Sequence, residues 1–169
     1  MTTVAPAKPF MWSPRARRVV LTAHIVISVG LLGDLAGFLG VAILGTTTSD
    51  PAVAEGCWHV LQLFAFAFGI PLSFGSLVTG IALGVGTKWG VLRYPWVTAK
   101  LAIVISVILV GAFILGPAVE EMLTGDGGTE WKLIAGSGYD ILAMITATTL
   151  SVFKPGRARR GRALRTQSA

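Results

Sequence analysis

Four apolar runs divide this chain, at about residues 19–45, 52–86, 96–116 and 131–153, with polar connections between them. About 20 apolar residues cross the hydrocarbon core of a bilayer as a helix, so each run is long enough to span. Backbone N–H and C=O groups find no water in lipid and must pair within their own segment, which dictates helices here. The expected fold is therefore all-α: a polytopic membrane protein, an up-and-down bundle of four transmembrane helices with short connections. The composition agrees, because only 13% of residues are charged where a soluble domain carries about a quarter. One membrane domain, 19–153, would sit between an N-terminal segment, 1–18, and a basic tail, 154–169.

Charge placement gives the orientation. Arg15, Arg17 and Arg18 precede the first run, Lys88 and Arg93 sit between the second and third, and Lys154 to Arg165 follow the fourth. The remaining connections hold Asp50 and Glu55, then Glu120, Glu121, Asp126 and Glu130. The positive-inside rule puts both termini and the middle loop in the cytoplasm. The net charge of +6 is thus a topology signal, and nucleic acid is not the expected partner. The partners expected are the lipid bilayer and either a second copy or another membrane protein. The tail arginines also suit anionic headgroups. Trp12, Trp89, Tyr94 and Trp96 are placed as interface anchors. A signal peptide cleaved after Ala52-Val53-Ala54 is the competing reading of the first run, but a signal core is about 7–15 residues and this run is far longer. Cys57 is the single cysteine, so no internal disulfide forms.

Helices in lipid associate through small residues. At 100° per residue Gly30, Gly33, Gly37 and Gly40 share a face of the first span. Gln62, Gly69, Ser73, Ser76, Gly80 and Gly84 share one on the second, and Gly136, Asp140, Ala143, Ala147 and Ser151 one on the fourth. The third span, rich in Ile, Val and Leu, is the one best suited to lipid exposure. Pro71 should kink the second span and Pro117 end the third.

Ionisable groups within spans are costly and are functional candidates. They are His24, Asp34, His59, Lys100 and Asp140. By helical rise, His24 and Lys100 each lie about 10 Å in from the cytoplasmic edge and form an inner pair. Asp34 and Asp140 lie deeper, at matched depth, with Gln62 and His59 toward the outside, and this outer set is a candidate ion or proton pathway. Each has a structural alternative: Lys100 snorkelling, His59 solvated at the interface, His24 a hydrogen-bonded packing residue. Two span histidines invite a bis-His haem b, but His24 and His59 sit about 20 Å apart in depth and cannot share one iron. A single-His haem on His24 stays open. No phosphate loop, metal-spaced His/Cys cluster or nucleophile motif is present, so no catalytic or metal residue is assigned.

The stretch IPLSFGSLVTGIALGVGTKWGVLRYPWVTAKL, with LSVFKPGRARRGR near the C-terminus, resembles an uncharacterised family of four-span bacterial membrane proteins common in high-GC Gram-positive bacteria. The likeness implies a fold and a location. More distantly, a histidine in span one with Trp-x-x-x-Lys-Leu opening span three is similar to HemJ-type protoporphyrinogen oxidases and, more loosely, to copper-resistance D proteins. That similarity implies haem binding at His24 and Lys100. The chain departs from it at Leu31, where those oxidases carry tryptophan, and at Gly111-Ala112-Phe113, where they tend to carry histidine. The expectation is a small helper or interaction protein of the inner membrane; the alternatives are a haem-linked redox protein using His24 and Lys100, and a proton or cation pathway through Asp34 and Asp140.

Overall fold

The structure, a computed structural model, describes residues 12–86, 94–125 and 128–153; the Lys88/Arg93 turn, Asp126, the preceding N-terminal segment and the basic tail lie outside the described residues. Four helices are each long and apolar enough to cross a membrane: α1 (Pro14–Thr47), α2 (Pro51–Val85), α3 (Pro95–Thr124) and α4 (Glu130–Phe153). This is the expected all-α bundle of a multi-pass membrane protein. Neighbours pack in a closed ring, α1 on α2, α2 on α3, α3 on α4 and α4 back on α1. The start of α1 at Pro14 and the end of α4 at Phe153 lie at one end of the bundle, here the terminal face. The short connection Thr48–Asp50 lies at the far face, as do Gly125 and Thr129.

Local chemistry sets the boundaries. Three helices start with proline in the first turn, where its missing N–H costs nothing and its fixed φ favours the helix. Ser13 Oγ accepts the Ala16 N–H at 3.2 Å, and Asp50 Oδ1 accepts the Ala52 N–H at 2.9 Å. Each satisfies an orphan donor of its helix. α3 stops at Gly125, whose φ of 84° suits glycine and whose N–H returns to the Glu121 carbonyl. Lys132 of α4 then closes on Glu121 of α3 at 3.3 Å across the far face.

Pro117 does not end the third span. α3 runs through it to Thr124, so Glu120 and Glu121 are helical and not in a loop. A proline inside a helix clashes with the carbonyl one turn back. Here a wide π turn, Gly111–Leu115, comes just before Gly116-Pro117, and another, Phe64–Gly69, just before Ile70-Pro71. Widening the turn to an i→i+5 pattern makes room for each ring and lets the helix resume.

Two apolar clusters stack along the bundle axis. The one nearer the terminal face joins Leu31 and Leu35 of α1 to Val107 and Met144, with Leu72 packed against it. The one nearer the far face is larger: Phe38, Ala42, Leu61, Leu115, Ala118, Val119, Met122 and Leu133. Lipid exposure falls on α2, not on the third span. Only 11% of the apolar window of α2 is buried against 28% for α3, because Phe66, Phe68, Phe74, Val78 and Ile81 all point outward. The Ile/Val/Leu content of α3 was a poor guide, since in lipid an apolar side chain is as content inside as outside.

A candidate polar seam and two mid-span carboxyls

α1 and α2 run antiparallel in one constant register, and the register positions the site. From the far face inward, Gly45 meets Trp58 and Cys57, Gly37 meets Phe64, Asp34 meets Gly69, and Gly30 meets Leu72. A Cβ at Gly37 would lie 2.7 Å from Phe64 Cε1, so glycine is what admits the ring. The glycine face expected on α1 is therefore split. Gly30 and Gly37 receive α2 side chains, while a Cβ at Gly33 or Gly40 would meet nothing. At the terminal face Trp12 seats on the end of α2, its Nε1 donating to the Ala82 carbonyl at 3.0 Å and its N–H to Gly86 at 3.1 Å.

Toward the terminal face the same register pairs polar groups. His24 Nδ1 lies 2.8 Å from Thr79 Oγ1. The Thr79 hydroxyl gives its one proton to the Gly75 carbonyl at 2.6 Å. It must therefore accept from the ring, so Nδ1 carries the hydrogen and Nε2 is the basic nitrogen of the neutral imidazole. Gly80 makes room for the ring edge, a Cβ there falling 3.4 Å from His24 Cε1. Lys100 of α3 stands within electrostatic reach of the ring. One turn deeper Ser28 Oγ and Ser76 Oγ are 3.2 Å apart. Ser73, also buried, follows on α2.

Asp34 and Asp140 occupy the level where the two apolar clusters meet. On α1 Asp34 lies between Leu31 and Leu35 of the one cluster, with Phe38 of the other a turn beyond, and on α4 Asp140 lies between Leu133 of the larger cluster and Met144 of the smaller. Asp140 is 1% exposed. Oδ1 of each is buried without a hydrogen-bond partner. Asp34 Oδ2 faces Gly69, where a Cβ would stand 3.3 Å away, at the end of the α2 π turn. Gly111, which opens the α3 π turn, lies between Val107 of the one cluster and Leu115 of the other. No cation approaches either carboxyl among the described residues: Lys132 is engaged with Glu121 at the far face and Lys100 is near His24. An unsatisfied buried polar group costs about 1–3 kcal/mol, more if charged. The bundle carries this cost twice.

Gln62 and His59 are not gathered with the carboxyls. Gln62 is exposed on α2. His59 is exposed and lines a cleft of about 360 Å³ at the far face with Glu55, Trp58, Met122 and Leu123. His24 and His59 contact or lie on α2 some twenty residues apart, about 30 Å along the helix, so a bis-His haem is excluded by the structure as well. Among the described residues no group of three metal-ligating side chains forms.

No family model, curated protein or solved structure matches the chain.

The reading of function therefore rests on the site itself. Sequence reasoning placed the five ionisable residues but missed Thr79 and the Ser28–Ser76 pair. The signal was present: once α1 and α2 are taken as an antiparallel hairpin, the position opposite His24 falls at Thr79 and the one opposite Ser28 at Ser76. Nothing in the sequence marks the π turns except the proline after each.

Proposed function

We propose that this protein is a small proton-conducting bundle of the bacterial inner membrane, with both termini cytoplasmic and with Asp34 and Asp140 as its mid-membrane proton sites. The observation that carries this reading is Asp140, 1% exposed, with Oδ1 unpartnered. A carboxyl that served packing alone would be expected to satisfy its oxygens with neighbours, as Ser137 does by donating to backbone carbonyls. A carboxyl that takes up and releases a proton must keep an oxygen available. Asp34, half-buried, likewise has an unpartnered Oδ1. A proton is favoured over a metal cation because a single carboxyl at each position lacks the six or more oxygens that such a cation takes.

The test is proton flux in proteoliposomes driven by a potassium diffusion potential. Wild type should conduct, Asp34→Asn should fall at least tenfold, and Asp34→Glu should keep a measurable share. Equal flux in wild type and Asp34→Asn overturns the proposal.

A second reading is favoured by one feature of the inner pair. With Nδ1 of His24 held by Thr79, Nε2 is the nitrogen that would take a haem iron, and the Lys100 ammonium would suit a propionate. This donor chemistry fits a single-His haem b, which would supply one-electron redox chemistry. Purified protein should then show a Soret band that His24→Ala removes; a colourless, folded preparation rules it out. As a helper or interaction protein the same bundle would meet a second copy or a membrane partner through exposed polar groups such as Gln62. Crosslinking in native membranes tests that reading by recovering one reproducible partner.

A further inference from the structure

The geometry points to a half-channel: the mid-membrane carboxyl of Asp34 is reached from the terminal face only, along the α1–α2 seam from His24 through Thr79, Ser76 and Ser28. This inference rests on the proton-conduction reading and adds its route and sidedness.

The seam holds a polar group at each helical turn. His24 and Thr79 are joined at 2.8 Å, and Ser28 and Ser76 at 3.2 Å. Ser73 stands on α2 in the interval between Ser76 and Gly69, beside which Asp34 Oδ2 lies. From Ser28 to Asp34 the rise along α1 is about 9 Å, a gap that Ser73 and one or two waters would bridge. In the opposite direction the buried Ser137 of α4 spends its hydroxyl on the Leu133 and Ile134 carbonyls. Beyond Asp34, α1 presents Phe38 and Ala42, and these join Leu61, Leu115, Ala118 and Leu133 in the larger apolar cluster. Of these, Ala42, Leu61, Ala118 and Leu133 are 0% exposed. The cleft at the far face, lined by Glu55 and His59, is separated from the carboxyls by this plug.

His24 has the chemistry of the first relay. A proton taken at Nε2 makes the imidazolium. The Nδ1 proton then passes to Thr79 Oγ1 once that hydroxyl has turned its own proton from the Gly75 carbonyl to a water beside Ser28 and Ser76, to which it is released. The ring is left neutral with its proton on Nε2, and a proton gained at Nδ1 from water with one lost from Nε2 to water restores the starting tautomer. At the end of the seam the Asp34 carboxylate gains one proton, and it loses one on release.

Single cysteines in a Cys57→Ala background test the sidedness with a membrane-impermeant cationic methanethiosulfonate, in vesicles of each orientation. Ser28→Cys and Ser76→Cys should react from the terminal face alone, and Ala42→Cys and Ala118→Cys from neither. Reaction of the seam positions from the far face, or none at all, overturns the half-channel. Thr79→Ser should keep proton flux and Thr79→Val should lose at least fivefold; equal flux in the two removes the relay. The two proposals separate cleanly. Labelling of the expected pattern without wild-type flux leaves an aqueous half-channel and defeats proton conduction. Flux abolished by Asp34→Asn without seam labelling keeps conduction and defeats this route.

Discussion

The two halves of the α1–α2 hairpin obey one register and bury opposite chemistry. Toward the terminal face the paired positions are His24 with Thr79 and Ser28 with Ser76. Toward the far face they are Gly37 with Phe64 and Gly45 with Trp58. Both pairings are close, so packing quality does not separate them. What separates them is whether the contact can carry water or a proton. In lipid, apolar contacts gain nothing from the hydrophobic effect, and hydrogen bonds between helices average about 0.6 kcal/mol. Stability therefore gives little reason to prefer hydroxyls on one side of Asp34 and aromatic rings on the other, and a difference in use is the better account.

The largest expected effect comes from breaking the plug. Leu61→Ser removes a fully buried side chain from the larger cluster. Large-to-small core changes cost about 2–5 kcal/mol, so the detergent melting temperature should fall clearly and proton leak should rise; an unchanged leak would mean that the far half is not the seal. A smaller effect is expected in the polar half. Ser28→Ala with Ser76→Ala should cost about 0.6 kcal/mol in stability yet slow proton flux several-fold. Comparable losses in both would reduce the seam to packing. The smallest effect is expected at Gly33, where a Cβ meets nothing. Gly33→Ala should leave flux unchanged and gain at most about 1 kcal/mol from helix propensity; a marked loss would place an unseen contact on that face.

Much of this was legible in the sequence, and particular residues show why. The four spans follow from hydropathy and length, and the mid-span position of Asp34 and Asp140 from counting helical rise. Their burial followed less directly. Asp140 lies inside the small-residue face read on α4, with Gly136 and Ala147. Gln62 shared a computed face with Gly69 and Ser76 but is exposed, because the π turn at Phe64–Gly69 lies between them and shifts the phase of α2. The same device hid the true end of α3, since Pro117 reads as a stop unless the wide turn before it is known. The exposure of α2 was illegible for a different reason: hydropathy in a membrane protein does not distinguish a side chain facing lipid from one facing another helix.

The central claim, that the unpartnered mid-membrane carboxyls exist to handle protons, is tested most directly at Asp140. Proton flux is measured in vesicles holding wild type or Asp140→Asn, matched for folded protein. The account expects wild type to conduct well above empty vesicles and Asp140→Asn to fall to the empty-vesicle rate. Equal rates for the two proteins, or wild-type vesicles no leakier than empty ones, would contradict it.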